Sequence, residues 1–326
     1  MAKLRKALTL SAALTCASIG TAQAGWLSNL FDNKEAETKH PMMLVPGIFA
    51  FDSISIVDYW HQIPAHLEGE GGEVYVAAIN AFDSSVGRGE DLIEQLENIK
   101  AASSGRIQKF NLLGHSQGGM TSRYVMETRP DLVASVTTIH TPNKGTPVAD
   151  LVNSTFPPAT VGGTLFSAFA NTVGDLVNLL SDNTKENADI FAMLSEFTQS
   201  GSAQFNATYP HGVPATACGE GDASVNIDGH NIRLYSWSGD RTATTVSFDI
   251  SDPLFGITSL AFLGSGERND GITGKCSSHF GKVIKDSYDL NHLDANNHVF
   301  GLTNIFETDP KTIFKNHAKR LKNAGL

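Results

Sequence analysis

The sequence feature that most restricts the fold is the pentapeptide 114–118, GHSQG, which has the form G-x-S-x-G. An apolar run over 107–113 precedes it, and apolar residues at helical spacing follow it over 120–126. A strand that turns directly into a helix forces the central residue into a strained conformation, and the flanking glycines leave room for that turn. The pattern therefore predicts a strand–turn–helix unit that exposes the hydroxyl of Ser116, a candidate nucleophile.

Strand-like and helix-like segments alternate around this unit. Residues 42–45 form a short apolar run that ends at Pro46-Gly47, and residues 74–78 read as a second strand. Apolar positions over 92–99 mark one face of a helix, and a further strand over 133–139 ends at Thr141-Pro142. This alternation predicts an α/β fold in which a mostly parallel sheet has helices on both faces. Sites in such folds gather at the carboxyl ends of the strands.

The N-terminus has the pattern of a secretory signal peptide. Lys3, Arg5 and Lys6 precede an apolar stretch over 7–19, and the small residues at 22–24, AQA, provide a cleavage signal. We therefore assign residues 1–24 to a signal peptide and expect residues 25–326 to be exported. A membrane anchor is disfavoured because the apolar stretch is short and rich in Ser, Thr and Ala. Lipid attachment at Cys16 is disfavoured because the bulky Thr15 precedes it.

The charge of the exported chain excludes one class of partner. Removing the signal peptide leaves 21 basic and 34 acidic residues, a formal charge of −13. Such an acidic protein is not expected to bind nucleic acid. It also gains no electrostatic attraction to anionic membranes, so contact with lipid has to be hydrophobic. The two cysteines of this part, Cys218 and Cys276, suggest one disulfide in an exported chain.

An amphipathic and largely uncharged stretch follows the first half of the chain. Between 157 and 182, apolar residues recur at helical spacing from Leu165 to Leu180. The pattern is compatible with a helix packed on the core and with a mobile lid over a pocket. The spacing alone does not decide between the two.

A serine nucleophile needs a base to take its proton and an acid to orient that base. In hydrolases with a G-x-S-x-G elbow the chain order is Ser, then Asp or Glu, then His. Asp270 lies in an Asn-Asp-Gly turn after the apolar run 260–263, which we interpret as a strand whose end carries the acid. An ordinary turn aspartate is the alternative. His140 comes too early in the chain to be the base, and spacing leaves both His279 and His292 open.

The chain resembles the extracellular bacterial true lipases of the Pseudomonas and Burkholderia type from Met42 to its end. The matching segments are 51–52 (FD), 57–60 (VDYW), the elbow with Gly119, 217–221 (ACGEG), 235–239 (YSWSG), 269–271 (NDG), 276–279 (CSSH), 291–294 (NHLD) and 317–322 (HAKRLK). The resemblance implies a single α/β-hydrolase domain over 25–326. It also implies a mostly parallel central sheet, helices on both faces and a helical lid at about 150–200.

The resemblance also implies a role for each candidate side chain. Ser116 matches the nucleophile, Asp270 the acid and His292 the base of these lipases. His279 falls beside the disulfide segment and is expected to be structural, and Cys218 and Cys276 match the disulfide pair. His298 and His317 match no catalytic position, so their side chains are expected only to pack or to face the surface.

The oxyanion of an acyl-transfer intermediate needs two preorganised N–H donors. One is the amide of the residue after the nucleophile, Gln117, and the other comes from the loop after an early strand, at Ile48. The lipases that this chain resembles usually have His-Gly in that loop, whereas this chain has Pro46-Gly47. A backbone donor at Ile48 survives the change, but the hydrogen bonds that support the loop have to be different.

The resemblance implies one structural Ca²⁺ ion. Asp249 and Asp294 match its carboxylate ligands, and His298 and Leu302 match the residues that contribute backbone carbonyl oxygens. Oxygen ligands suit this hard cation. Because Asp294 follows His292 by two residues, the ion is expected to stabilise the loop that carries the base.

The sequence and the resemblance together predict a secreted, monomeric triacylglycerol lipase that works at a lipid–water interface. The resemblance identifies the stretch Leu165–Leu180 with the lid, and it implies a membrane-anchored folding chaperone. Two other functions remain open. An esterase for short esters or a polyester depolymerase could use the same triad, and a binding module could keep the fold without catalysis.

Overall fold

The fold is built on a seven-stranded sheet, counted over the residues that the computed structural model describes, which are 34–48, 59–80, 83–152, 190–243, 251–298 and 300–326. The predicted signal peptide, the stretch Leu165–Leu180 and Asp249 lie outside these ranges, as does most of the predicted lid region. The strands are β1 (Met42–Val45), β2 (Val74–Val76), β3 (Phe110–His115), β4 (Val133–Ile139), β5 (Ser224–Ile227), β6 (His230–Gly239) and β7 (Lys282–Tyr288).

The sheet is parallel except at one edge. Its order is β2-β1-β3-β4-β6-β5, and β7 also pairs with β6. The first half of β6 pairs antiparallel with β5, and its second half pairs parallel with β7. The register sets Val45 opposite Gly114 and His115 opposite Ile139, so the carboxyl ends of β1, β3 and β4 lie at one edge. The predicted mostly parallel sheet is confirmed, and its carboxyl edge is where the site forms.

Helices cover the sheet on both faces. The described helices are α1 (Ile63–Gly69), α2 (Ser85–Ala102), α3 (Gln117–Thr128), α4 (Pro147–Val152), α5 (Ile190–Glu196), α6 (Gln199–Thr208), α7 (Asp252–Thr258) and α8 (Pro310–Asn323). Alternate residues of a strand point to opposite faces, and β1 shows this directly. Met43 and Val45 belong to the apolar cluster that includes residues of α2 and α3, whereas Met42 and Leu44 belong to the cluster that includes residues of α1 and α8.

The predicted elements of the first half are present, with small differences at their ends. The second strand stops at Val76 rather than at 78, and the helical face over 92–99 lies within α2. Every residue of β3 and β4 is buried, as expected for central strands with helices on both sides. The predicted α/β fold is therefore confirmed.

The prediction of a strand over 260–263 is wrong. This run continues α7 as a 3₁₀ helix, Ser259–Phe262. Only Phe262 of the run is deeply buried, whereas Leu260 is 41% exposed and Leu263 is 74% exposed. A short apolar run does not distinguish a strand from a helical turn, and here the preceding helix determines the conformation. Asp270 therefore lies in a turn between β6 and β7 and not at the end of a strand.

A disulfide joins two segments that are distant in the sequence. Cys218 and Cys276 form a disulfide that links the segment before β5 to the segment after Asp270. Within the described ranges, no helix combines the length and the apolar character that a membrane span requires.

Candidate active site

The predicted strand–turn–helix unit is present at Ser116. β3 ends at His115 and α3 begins at Gln117, and Ser116 between them has φ 55° and ψ −125°. A positive φ in a non-glycine residue costs about 1–3 kcal/mol and persists only where the surroundings impose it. Here a Cβ atom on Gly118 would overlap the carbonyl oxygen of Val45 in β1. The close packing of α3 on β1 therefore requires glycine and fixes the turn that carries the serine.

His292 reaches Ser116 from the loop that follows β7. Its Nε2 lies 3.0 Å from the Oγ of Ser116. Its Nδ1 lies 2.9 Å from Oδ2 of Asp270, and its backbone N–H donates to the carbonyl of Asp270 at 2.9 Å. The three side chains are buried, with Ser116 8% exposed and His292 4% exposed. The structure thus brings the predicted nucleophile, base and acid into one hydrogen-bonded chain.

Asp270 is ionised in this arrangement. Burial alone would raise the pKa of this carboxyl, but its electrostatic attraction to the His292 ring and the hydrogen bonds from His140 and His292 hold the pKa below its usual range. Its Oδ1 also accepts the backbone N–H groups of Ile272 at 2.9 Å and Thr273 at 2.6 Å. Because an ionised carboxylate only accepts, Nδ1–H of His292 is the donor, which leaves Nε2 free to accept the serine proton.

His140 is a partner of Asp270 that the sequence reasoning missed. Its Nδ1 lies 2.7 Å from Oδ2 of Asp270, and its Nε2 accepts the N–H of Gly239 at 2.9 Å. Chain order correctly excluded His140 as the base, but chain order says nothing about other partners of the acid. The available signal was its position directly after β4, at the carboxyl edge of the sheet.

The loop after β1 approaches the nucleophile closely. A Cβ atom on Gly47 would lie 2.7 Å from the Cβ of Ser116, so only glycine fits there. Ile48 follows in this loop. Gln117 is the first residue of α3, where amides have no acceptor within the helix. Gln117 is therefore next to the serine in the chain, and Ile48 is next to the glycine that approaches it.

A buried arginine supports the loop that contains Pro46 and Gly47. Arg88 of α2 is fully buried and donates to the carbonyl oxygens of Pro46, Gly47 and Asn80. Burial lowers the pKa of Arg88 to about 10, so the guanidinium remains charged at neutral pH. A buried cation that donates to loop carbonyls fixes their position, and Pro46 needs no N–H for this.

A second hydrogen-bonded chain connects the same loop to the base. The N–H of Gly47 donates to the hydroxyl of Tyr59 at 2.7 Å, and this hydroxyl donates to Nδ1 of His115 at 2.6 Å. The Nε2 of His115 then donates to the carbonyl of His292 at 2.9 Å. Burial lowers the pKa of His115 well below its ordinary value, so the ring is neutral and the carbonyl acceptor fixes its tautomer.

The other histidines lie away from the triad contacts. His279 contacts the carbonyl of Gly219 at 2.9 Å and Asp286 at 3.0 Å, next to the disulfide. His317 of α8 lies 2.8 Å from the hydroxyl of Thr137 in β4. The ring of His298 packs edge-on against Tyr59.

The candidate calcium ligands are only partly described. Asp294 begins a 3₁₀ turn, is 1% exposed, and accepts the N–H of Asn291 at 2.9 Å through Oδ2. The carbonyl of His298 accepts the N–H of Phe300 at 2.8 Å and has a second lone pair for a ligand. Leu302 is half-buried, and Asp249 lies outside the described ranges. Carboxylate and backbone carbonyl oxygens are the donor types that suit Ca²⁺.

Residues 40–295 match the model of the alpha/beta hydrolase fold family. The chain belongs to this family. It is 45% identical over 290 residues to the triacylglycerol lipase of Vibrio cholerae, a match that covers 89% of this chain and 90% of that protein. It is 36% identical over 325 residues to the triacylglycerol lipase of Burkholderia plantarii, covering 89% of this chain and 88% of that protein.

A solved structure shows the same fold. The mature form of Bacillus licheniformis lipase BlEst2 superimposes on this alpha/beta hydrolase with a TM-score of 0.59 at 15% identity, covering 87% of this chain and 93% of that one. The curated relatives confirm the resemblance to bacterial lipases and the prediction that this alpha/beta hydrolase is an enzyme.

Proposed function

We propose that this enzyme is a secreted lipase that hydrolyses long-chain triacylglycerols through a Ser-His-Asp mechanism. The observation that supports this most is the continuous chain from Ser116 Oγ through His292 to Asp270, with distances of 3.0 and 2.9 Å. The relatives named triacylglycerol lipases indicate the substrate class. The geometry indicates the chemistry, because it is the arrangement that activates a serine hydroxyl.

The reaction proceeds in two acyl-transfer steps. His292 Nε2 takes the proton of Ser116 as Oγ attacks the ester carbonyl, and the resulting imidazolium then protonates the departing alcohol. Water repeats the sequence on the acyl-enzyme and releases the fatty acid. Asp270 stays ionised throughout and stabilises the imidazolium.

The oxyanion of each tetrahedral intermediate is bound by the N–H groups of Gln117 and Ile48. Removing one donor of this kind from an enzyme costs about 10²–10³ in kcat. Arg88 and Tyr59 hold the loop of Ile48 in place before substrate arrives, so little reorganisation is needed during the reaction.

Access to the site is controlled by a lid at about 150–200 in this proposal. The amphipathic stretch Leu165–Leu180 supports it, because an apolar face can cover the pocket in water and turn towards lipid at an interface. Such a device lets a protein with a formal charge of −13 act on lipid without electrostatic attraction.

A structural Ca²⁺ ion is part of the proposal. Asp249 and Asp294 would supply carboxylates, and His298 and Leu302 would supply backbone carbonyl oxygens. The ion would neutralise the buried charge of Asp294, two residues from the base.

Export through the periplasm, aided by a folding chaperone, completes the proposal. The pattern over 1–24 and the disulfide Cys218–Cys276 support export, since disulfides persist in oxidising compartments. We expect the exported enzyme to be a monomer.

The test is hydrolysis of an emulsified long-chain triacylglycerol by Ser116→Ala, with Ser224→Ala on the edge strand β5 as the control. We expect Ser116→Ala to lose about 10³-fold or more in kcat, and the control to keep the parent rate. Parent-like activity in Ser116→Ala would refute the mechanism. The esterase alternative is tested by the parent enzyme's rates on short-chain and long-chain esters, each measured below and above the solubility limit of the substrate. Activity on short-chain esters alone would support that alternative.

A further inference from the structure

The catalytic acid has two histidine partners on the same oxygen atom. Oδ2 of Asp270 lies 2.9 Å from Nδ1 of His292 and 2.7 Å from Nδ1 of His140. His140 and Asp270 both have no exposed surface. The shorter of the two contacts is therefore made by a residue that does not touch the nucleophile and that the mechanism above does not use.

The direction of the hydrogen bond from His140 follows from its second partner. The backbone N–H of Gly239, at the end of β6, points to Nε2 of His140 at 2.9 Å. A backbone N–H can only donate, so Nε2 is unprotonated in the neutral ring and the ring proton is on Nδ1. The Nδ1–H then donates to the ionised carboxylate, which is a charge-assisted hydrogen bond.

The backbone of His140 is held as firmly as its ring. Its N–H donates to the carbonyl of Trp237 in β6 at 3.0 Å, and its carbonyl accepts the hydroxyl of Thr273 at 3.0 Å. A Cβ atom on Gly239 would lie 2.9 Å from Cε1 of the ring, so the neighbouring strand leaves the ring little space. His140 is thus a fixed donor at the sheet edge, facing an acid that lies in a turn outside the sheet.

We propose that His140 is a positioning residue that holds the Asp270 carboxylate in the orientation that His292 requires. The proposal rests on the function proposed above. Asp270 accepts two N–H groups at Oδ1 and two ring N–H groups at Oδ2, which uses the roughly four acceptor positions of a carboxylate. Without His140, Oδ2 keeps only the bond to His292, and the carboxylate is held from outside the base by the two backbone donors at Oδ1 alone.

Two substitutions separate the two hydrogen bonds of His140. In His140→Asn the side-chain N–H₂ occupies roughly the position of Nδ1 and keeps the donor to Asp270. In His140→Gln the amide reaches roughly the position of Nε2, so its oxygen can accept the Gly239 N–H while the donor to Asp270 is lost. The positive φ of His140, 49°, also suits asparagine.

The measurement is kcat and KM on a soluble ester, divided by the number of active sites titrated with a fluorophosphonate. We expect His140→Gln to lose about 10- to 100-fold in kcat per site with KM within about 2-fold, and His140→Asn to recover most of that loss. His317→Gln, at another fully buried histidine, is the control and should lower stability without changing kcat per site. Equal kcat per site in the parent and in His140→Gln would overturn the proposal.

The Ser116→Ala variant distinguishes failure of the proposed function from failure of the positioning role of His140. If Ser116→Ala keeps its activity, the mechanism fails whatever the His140 variants do. If Ser116→Ala is inactive and His140→Gln turns over normally, only the positioning role fails.

A measurement on the parent protein tests the proposal even if the His140 variants do not fold. In a ¹⁵N-histidine NMR spectrum at neutral pH, His140 should be the Nδ1–H tautomer, and its proton should be shifted far downfield by the bond to Asp270. A His140 ring protonated at Nε2 would remove the donor and contradict the proposal.

Discussion

The two parts of the active site are held in different ways. Ser116 lies on a turn between two regular elements, and β3 below it is paired on both sides by buried strands. Asp270 and His292 lie in loops before and after the edge strand β7 and are held by individual hydrogen bonds, such as those of Ile272 and Thr273. The elbow therefore depends on steric fit, and the acid–base loops depend on donors and acceptors.

This difference predicts opposite sensitivities. Adding one methyl group at the elbow should disrupt the packing of α3 on β1. Exchanging an oxygen for a nitrogen, with no change of volume, should disrupt the acid–base loops but leave the elbow intact.

The largest expected effect is that of Asp270→Asn. The amide keeps the size of the side chain but cannot accept from all four donors, so it favours the wrong tautomer of His292. We expect kcat/KM on a soluble ester to fall about 10⁴-fold, equivalent to about 5 kcal/mol. Asp228→Asn, in the exposed turn between β5 and β6, is the control. A loss below 10-fold at Asp270 would mean that the carboxylate does not orient the base.

The next effect is that of Gly118→Ala, where a Cβ atom would overlap the backbone of Val45. We expect a loss of about 3 kcal/mol or more in the free energy of unfolding, which lowers the melting temperature by about 6 °C or more. Gly256→Ala in α7 is the matched control, since open space surrounds that position. Equal melting temperatures for the two variants, measured by calorimetry, would contradict the steric account of the elbow.

The proposed calcium ion would stabilise the folded protein through the loop part of the site. An ion at a hundred times its dissociation constant stabilises the folded state by about 2.7 kcal/mol. We expect a chelator to lower the melting temperature of the parent by about 5 °C and that of Asp294→Asn by much less. The same melting curve with chelator and with added Ca²⁺ would count against the ion.

Tyr59→Phe tests the connection between the two parts. The substitution removes the hydroxyl that joins Gly47 N–H to His115, and it leaves two buried polar groups without that partner. Each such loss costs about 1–3 kcal/mol, and we expect kcat to fall about 10-fold as the oxyanion loop loosens. Tyr75→Phe, whose hydroxyl binds Glu73 near the sheet edge, should keep the parent kcat. Equal kcat in both variants would show that the connection is dispensable.

The smallest effect is expected at His317 of α8, whose ring contacts Thr137 of β4 and none of the three triad residues. Burial lowers the pKa of His317 well below its ordinary value. Below about pH 6.5 the ring is therefore protonated in the unfolded chain but stays neutral in the folded chain. This contribution to stability is present above pH 6.5 and decreases as the pH falls. In His317→Gln we expect the slope of unfolding free energy between pH 5 and 6.5 to be shallower by up to about 1.4 kcal/mol per pH unit. An unchanged slope in urea titrations would contradict the buried neutral ring.

The sequence predicted the elbow side of the site better than the loop side. The first strands, their alternation with helices and the turn at Ser116 follow from local apolar patterns and from two glycines, so sequence reasoning reached them. The contacts of Asp270 depend on which backbone groups meet across long sequence separations, and local patterns carry no such information. The strand predicted over 260–263 is wrong for a local reason, because the preceding helix continues through this apolar run. Chain order does not reveal His140 as a partner of the acid, because that contact joins distant parts of the chain. Chain order alone left His279 and His292 open, and the resemblance to lipases indicated His292.

The most direct test of the account is to identify the residue that an active-site fluorophosphonate modifies. The serine oxygen that His292 activates should react, and peptide mass spectrometry should find one adduct, on Ser116, while ester hydrolysis falls in proportion to the modified fraction. An adduct on another residue, or full hydrolysis by enzyme fully modified at Ser116, would contradict it.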